Sequence, residues 1–317
     1  MNLIDAYRYL AALEQHRHFG RAALACQITQ PALSNALRVL EKELGVAIVR
    51  RGRQYEGLTA EGEQVLATAY RVLHEQELLQ QALAGSATNP RGRLVIGAVP
   101  TAIPIAARFA ARLVERHPGL SPQVRSLPSH EIETGLEILA LDMGLGYIAR
   151  LPGRPKNALR AQPQYVEHYY LLRGAAKARG GLRFGEPMRW RDAAASPMCL
   201  LSAEMHNRSI IDGVFRGLSL EVRPAIETNS VMALLVTVQS SGCTAILPGA
   251  LVSTLTRQAG LEALPLVEPE LRTPIGFMTA SAPKPSHALL AALRLTADAD
   301  WLAEAGAHCG PLHQARP

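Results

Sequence analysis

Apolar positions in the first 60 residues recur at helical spacing, broken by short polar turns. Tyr7, Leu10 and Leu13 fall on one face of a first helix. Beyond Gly20, the alanine-rich run Arg21 to Cys26 predicts a two-turn helix, and Gln27, Ile28 and Thr29 predict a tight turn. Thr29 suits an N-cap, and Pro31 follows within the first turn, where its missing N–H has no helical partner to lose. Leu33, Leu37, Leu40 and Leu44 then step by four, three and four residues to make one buried stripe. Gln30, Ser34, Asn35 and Arg38 occupy the opposite face, and Gly45 ends the helix. Val46 to Val49, the stretch Arg50-Arg51-Gly52-Arg53 and Leu58 read as a hairpin. Thr59 caps a long helix to roughly Ala84, along which Val65, Ala69, Val72, Gln76, Leu79 and Leu83 form a heptad seam with one polar break. Gly85 to Pro90 is a linker.

From Arg93 the texture changes. Leu94 to Val99 is a continuous apolar run, hence a buried strand, followed by Pro100-Thr101 and a helix over Ile105–His117. Val124 to Leu127 predicts a second strand, Ile132 to Ala140 a helix and Met143 to Ile148 a third strand. Further strands are expected at Tyr169–Leu172, Cys199–Leu201, Val222–Ile226 and Ala245–Leu247. Strand and helix in alternation predict a parallel sheet with helices on both faces, here in two α/β lobes.

A short helix, a tight turn and a second helix with a polar outer face make a helix-turn-helix. Its second helix presents side chains to the major groove, where Gln and Asn suit adenine and Arg suits guanine. With the hairpin it becomes a winged helix-turn-helix, its arginines laid against phosphates. The expected DNA-binding residues are Thr29, Gln30, Pro31, Ser34, Asn35, Arg38, Arg50, Arg51 and Arg53. Charge points the same way: of a formal +6 over 317 residues, the first 60 carry +3, from eight basic and five acidic side chains. The seam residues Val65, Ala69, Val72, Leu79 and Leu83 predict a dimerisation helix.

The remaining chemistry is sparse. No apolar stretch approaches the roughly 18 residues of a membrane span, and MNLIDAYRYLAAL lacks the basic and apolar regions of a signal peptide, so a cytoplasmic protein is expected. Cys26, Cys199, Cys243 and Cys309 lie far apart with no CxxC pair, which argues against a disulfide framework or zinc ribbon. No G-x-S-x-G, P-loop or G-x-G-x-x-G is present, so neither an enzyme nor a bound cofactor is expected. His308-Cys309 with His313 is the one thin suggestion of a metal site, in what reads as an open tail. The competing reading is a small-molecule-binding or enzyme-like α/β protein whose DNA head is incidental.

The string Phe19, Arg21-Ala22-Ala23, Ile28-Thr29-Gln30-Pro31-Ala32-Leu33-Ser34, Leu37-Arg38, Leu40-Glu41, Leu44-Gly45, Arg51 and Leu58-Thr59-Ala60-Glu61-Gly62 resembles the LysR-type transcriptional regulators. Gly92 to Gly97 and Ile246-Leu247-Pro248 extend the likeness. Cys26 stands where leucine is usual, Ile48-Val49 where Leu-Phe is usual and Gln54 where the wing would carry arginine. The resemblance implies a DNA-binding domain over 1–60, a linker helix over 61–90 and an effector module over 91–317 like the periplasmic binding proteins. Two crossover strands would join its lobes, the first about 91–162 plus 268–298, the second about 163–267. It also implies a homodimer, usually assembled into a tetramer, on an interrupted inverted repeat of double-stranded DNA, with RNA polymerase as a further partner.

Ligands of open α/β sheets bind beyond the carboxyl ends of strands, and two lobes would gather those ends around one cleft. The expected effector residues are Thr101, Ala102, Ser129, His130, Asn207, Thr228 and Asn229. Their hydroxyls, amides and helix N-termini suit a small anion such as a carboxylate. Thr101, Ser129 and Asn229 also fit a plain capping role.

Overall fold

The structure, a computed structural model, describes residues 2–50, 52, 54–86, 88–151, 159–175, 180–281 and 285–312. The chain divides into two compact units, one of residues 1–86 with 137–140 and the other of the remaining chain from residue 87. No helix among the described residues is long and apolar enough to cross a membrane.

The first unit comprises α1 (Leu3–His16), α2 (Phe19–Ala25), α3 (Gln30–Leu44) and α4 (Ala60–Ala84). Leu10 and Leu13 of α1, Ala22 and Ala23 of α2, and Leu33, Leu37 and Leu40 of α3 close over Ile48, Leu58, Leu66 and Ala69 as one core. Leu44, expected to complete the stripe, is exposed at the helix end. The predicted seam of α4 is also divided. Ala69 is buried and Val65 packs beside it against the unit's own core, whereas Leu79 and Leu83 are 60% and 80% exposed and Val72 is also exposed.

The second unit has two lobes. In the first, β1 (Gly92–Ala98), β2 (Leu120–Ser126), β3 (Met143–Tyr147), β4 (Leu159–Glu167) and β12 (Thr273–Ala280) form a sheet in the order β2-β1-β3-β12-β4. The first three strands are parallel, while β12 runs antiparallel to both β3 and β4. Helices α5 (Ile103–Arg116), α6 (Ser129–Glu137), α11 (His287–Thr296) and α12 (Ala299–Cys309) cover it. Phe109 packs on Phe277 with ring centres 4.5 Å apart and planes tilted by 47°, and meets the edge of Trp301 at 5.1 Å. The buried Trp301 Nε1–H donates to Gln164 Oε1 at 2.7 Å, as a buried indole must.

In the second lobe β5 (Tyr169–Gly174) lies between β10 (Ala245–Pro248) and β11 (Leu261–Val267), antiparallel to both. The short strands β6 (Arg183–Phe184) and β7 (Met188–Arg189) pair with β11. Tyr170 and Leu172 face one core and Tyr169 and Leu171 the other, so the alternation of β5 is buried on both sides. Helix α7 (Trp190–Ala193), the parallel pair β8 (Cys199–Leu201) and β9 (Ile226–Thr228), α8 (His206–Gly217), α9 (Val231–Ser240) and α10 (Gly249–Val252) complete it.

Four expectations need correction. The sheets are mixed rather than parallel, because β4 and β12 carry the chain between lobes in opposite directions. The first crossing lies at His168, since β4 stays in the first sheet to Glu167, and the second crossing lies between Val267 and Thr273. The strand expected at Val222–Ile226 begins only at Ile226, after Pro224. Residues 299–309 are a helix whose Trp301, Ala305 and Cys309 join the first lobe's core, not an open tail; His313 lies outside the described residues.

Candidate nucleic-acid interface and ligand cleft

The helix-turn-helix is tied at each joint by a side chain. His18 Nδ1 accepts the Gly20 and Arg21 N–H groups at 3.1 and 3.3 Å and caps α2. Gln27 takes a left-handed φ of 57° in the turn, and Thr29 Oγ1 accepts Ala32 N–H at 3.4 Å to start α3. With Leu33, Leu37 and Leu40 held in the core, Gln30, Pro31, Asn35 and Arg38 are exposed and Ser34 half-buried on the outer face. Gly45, at φ 70°, closes the helix.

The wing is reduced to a single antiparallel bridge, Val49 with Leu58, and relies on side chains. Glu41 Oε1 accepts the Ile48 and Val49 N–H groups at 2.8 and 3.1 Å. Thr59 caps α4 at Gly62 N–H (2.9 Å) and donates its own hydroxyl to Ala47 O at 2.6 Å. A Cβ on Gly62 would sit 2.1 Å from Ile48 O, so only glycine lets α4 press this close to the wing strand. These contacts give a physical reason for Glu41 and for the Thr59-Ala60-Glu61-Gly62 run. Arg50 Nε–H donates to Leu58 O at 2.8 Å, so this arginine holds the wing while its exposed end faces outward; Arg51 and Arg53 lie outside the described residues. Between α3 and the wing runs a groove of about 840 Å³, lined by Ser34, Arg38, Glu41, Lys42, Arg50 and Gln54. Lys42 was not foreseen in it.

The second candidate site lies between the lobes of the second unit. Thr101, just after β1, is buried and hydrogen-bonded at 3.1 Å to the hydroxyl of Tyr147, at the end of β3. Tyr147 meets His206 of the second lobe edge-on at 4.7 Å. Arg150 donates Nε–H to the buried Glu133 at 2.7 Å and Nη1–H to His206 Nδ1 at 3.2 Å. Asn207 faces the Tyr147 and Tyr169 hydroxyls, and Tyr169 is bonded to Thr273 at 3.1 Å. Burial pushes the Tyr147 phenol up to about 12 and those of Tyr165 and Tyr169 well above the ordinary range, so all three are neutral donors. Glu167, where β4 ends, is pushed up to about 8 by burial, against the opposing pull of the Ala250 N–H at 3.3 Å. Burial and then the Arg150 charge hold His206 below the usual imidazole range.

Of the expected effector residues, Thr101, Ser129 and Asn207 are buried here, and Ala102 is buried behind Thr101. His130 is exposed. Thr228 Oγ1 accepts Ser230 N–H at 3.1 Å in a local turn, Ser230 rather than Asn229 caps α9, and Asn229 is exposed. These three do not enter the network. The tyrosines, Glu167 and Arg150 were missed, because they come from β3, the turn that follows it, β4 and β5, segments that only the topology assembles.

A winged helix-turn-helix with a polar reading face, on one chain with a two-lobed module whose lobes meet in a polar network, defines a DNA-binding transcriptional regulator with an effector-binding domain. The chain belongs to the LysR family. Residues 4–63 match the bacterial regulatory helix-turn-helix protein, lysR family, and residues 87–300 match the LysR substrate binding domain. It is 27% identical over 288 residues to the DNA-binding transcriptional dual regulator OxyR of Escherichia coli strain K12, covering 88% of this chain and 89% of that protein. Among solved structures it is similar to a full-length OxyR variant from Pseudomonas aeruginosa (TM-score 0.63, 22% identity, 97% of this chain and 95% of that one). CbnR complexed with its target DNA also shares the fold (TM-score 0.63, 19% identity, 92% and 99%).

Proposed function

We propose that this regulator binds an interrupted inverted repeat near a promoter as a homodimer, assembled further into a tetramer, and responds to a small anion bound between its lobes. The exposed row Gln30, Asn35 and Arg38 on a helix anchored by three buried leucines is the observation that carries the DNA reading. Thr29 acts as a cap, and Arg50, with Arg51 and Arg53, serves the phosphates. The exposed Leu79, Leu83 and Val72 of α4 favour pairing through that helix. Contact with RNA polymerase belongs to the same reading, as does a cytoplasmic, non-catalytic role. For the effector, Thr101, Ser129 and Asn207 remain the proposed contacts.

The peroxide response named for several relatives, among them the hydrogen peroxide-inducible genes activator of Haemophilus influenzae, is not the reading favoured for this chain. Burial pushes the thiols of Cys26, Cys199 and Cys309 up, which disfavours the reactive thiolate.

Gel retardation on the chain's own upstream DNA, run across a salt series, tests the DNA reading. A specific shift whose affinity falls with salt is expected; equal affinity for random DNA would refute it.

A further inference from the structure

The two arms of the wing are tied to the helices by different side chains. Glu41 of α3 holds the outgoing arm at Ile48 and Val49. On the return arm Tyr55 reaches back over α1 and α2. Its hydroxyl donates to Glu14 Oε2, near the end of α1. Its ring stands edge-to-face with Phe19, the first residue of α2, with centres 6.2 Å apart and planes at 81°. Burial, and then the Glu14 carboxylate, push the phenol above its ordinary range, so it is a protonated donor. The remaining hydrogen bonds of the hairpin join arm to arm: Arg50 N–H to Gly57 O at 3.0 Å, Thr59 N–H to Ile48 O at 2.9 Å, and Arg50 Nε–H to Leu58 O. They leave the angle between hairpin and helices to side chains.

Both anchors of Tyr55 belong to the body that carries α3. Phe19 lines the groove between α3 and the wing, together with Ser34, Arg38 and Arg50, and packs against the core that holds Leu33 and Leu37. Glu14 follows Leu13 of that core and also pairs at 3.8 Å with Arg17, whose left-handed φ of 46° ends α1. On the other side of the wing, Glu14, Arg17, Arg50 and Tyr55 line a cavity of about 460 Å³. Arg50 therefore stands between the reading groove and the Tyr55 anchor.

We propose that Tyr55 is a positioning residue for DNA binding: its hydroxyl on Glu14 and its ring on Phe19 set the gap between the wing and α3. Arg50 then reaches phosphates while Gln30, Asn35 and Arg38 lie in the major groove. The inference rests on the reading of α3 and the wing as the DNA interface. A phenol suits the task because its ring fills the apolar side at Phe19 while its hydroxyl reaches a carboxylate. Anchors on two helices stop the hairpin from rocking, whereas one anchor leaves it a hinge. Tyr55 itself touches no DNA in this arrangement and acts through the placement of Arg50.

The test is a double-mutant cycle on DNA affinity, using the full chain, its upstream DNA and a random duplex across a salt series. Tyr55→Phe keeps the ring and removes the hydroxyl. It should weaken binding to both duplexes about fivefold and lower the salt slope by about one, with little change in the thermal melt. Glu14→Ala should weaken the wild-type chain but not the Tyr55→Phe chain, because the two act as one link. Glu14→Gln, which keeps an acceptor, should lose less than Glu14→Ala. Wild-type affinity and slope in Tyr55→Phe, or additive losses in the cycle, overturn the proposal. A lower melt with an unchanged salt slope overturns it too and leaves Tyr55 as a packing residue. Should Tyr55→Phe melt too low to assay, the two Glu14 variants decide: a smaller loss with glutamine supports the link, and equal binding refutes it. If the wild-type chain binds both duplexes equally, the DNA reading itself fails, whatever Tyr55 does.

Discussion

Glu41→Ala isolates the device that shapes the wing. One oxygen of this carboxylate receives two backbone N–H groups, Ile48 at 2.8 Å and Val49 at 3.1 Å, where the chain leaves α3 and has almost no ladder of its own. A hydrogen bond to a charged group is worth about 1.5–3 kcal/mol net. Ile48 is fully buried, so its amide is left without a partner, whereas Val49 is half-buried and regains water. The loss should therefore come to about 2–4 kcal/mol, one full bond and part of a second. Glu41→Gln keeps the oxygen but not its charge and should lose about half as much. Hydrogen exchange gives the local readout: protection of the Ile48 and Val49 amides should fall sharply in Glu41→Ala, while that of the α1 and α4 amides changes little. DNA affinity should drop with a smaller salt slope, because the wing arginines lose their placement. If Ile48 and Val49 stay protected in Glu41→Ala, the carboxylate is not what holds the wing.

Arg38→Ala should weaken specific binding by about 1–3 kcal/mol and relax preference at one base pair if the guanidinium reads a base; equal loss on all sequences, with a shallower salt slope, would move it to the phosphates. Leu79→Asp alters a 60% exposed side chain, so the monomer's melt should shift by no more than about 0.5 kcal/mol, while sedimentation shows loss of dimers; a fully dimeric variant would place pairing elsewhere. Glu167 is faced by Tyr165, Tyr147, Tyr169, Cys309 and the amides of Gly249 and Ala250. Its carboxyl stays protonated to about pH 8 when folded and ionises near its ordinary value when unfolded, so its contribution to stability declines as pH rises through that window. Glu167→Gln should flatten the fall in melting temperature between about pH 5 and pH 8, and an unchanged pH profile would mean that the group is charged in the fold.

The first unit was readable in the sequence because its determinants are local. The leucine stripe of α3, the Thr29 and Thr59 caps and Gly45 each act within a few residues of the structure they specify. Strands β1, β3, β5, β8 and β10 were equally legible as continuous apolar runs. The strands that flank the two crossings, β4, β11 and β12, were not. Pro163 in β4, Pro265 in β11, and Pro274 and Gly276 in β12 interrupt the pattern that announces a strand. β4 accepts its proline as an edge strand paired only with β12, whereas β11 and β12 are paired on both sides, which fixes the chain even at the register shift between Ile275 and Gly276. The cleft was half legible for the same reason. Thr101, Ser129 and Asn207 stand at helix starts, which sequence reveals, whereas Tyr147, Tyr165, Glu167 and Tyr169 lie on three strands, β3, β4 and β5, that meet only once the sheets are ordered.

The divided seam of α4 bears on how the operator is spaced. Its first turns belong to the core of the reading head, through Leu66 and Ala69, and its last turns offer Leu79 and Leu83 outward. A head that owns part of the strut it hangs from has no swivel. In a dimer paired through those leucines, the two recognition helices keep a constant phase, like teeth on one gear. Moving the half-sites apart by half a turn of the duplex, about 5 base pairs, would carry the second site round to the far side. The misfit would then have to be absorbed by twisting or bending the DNA.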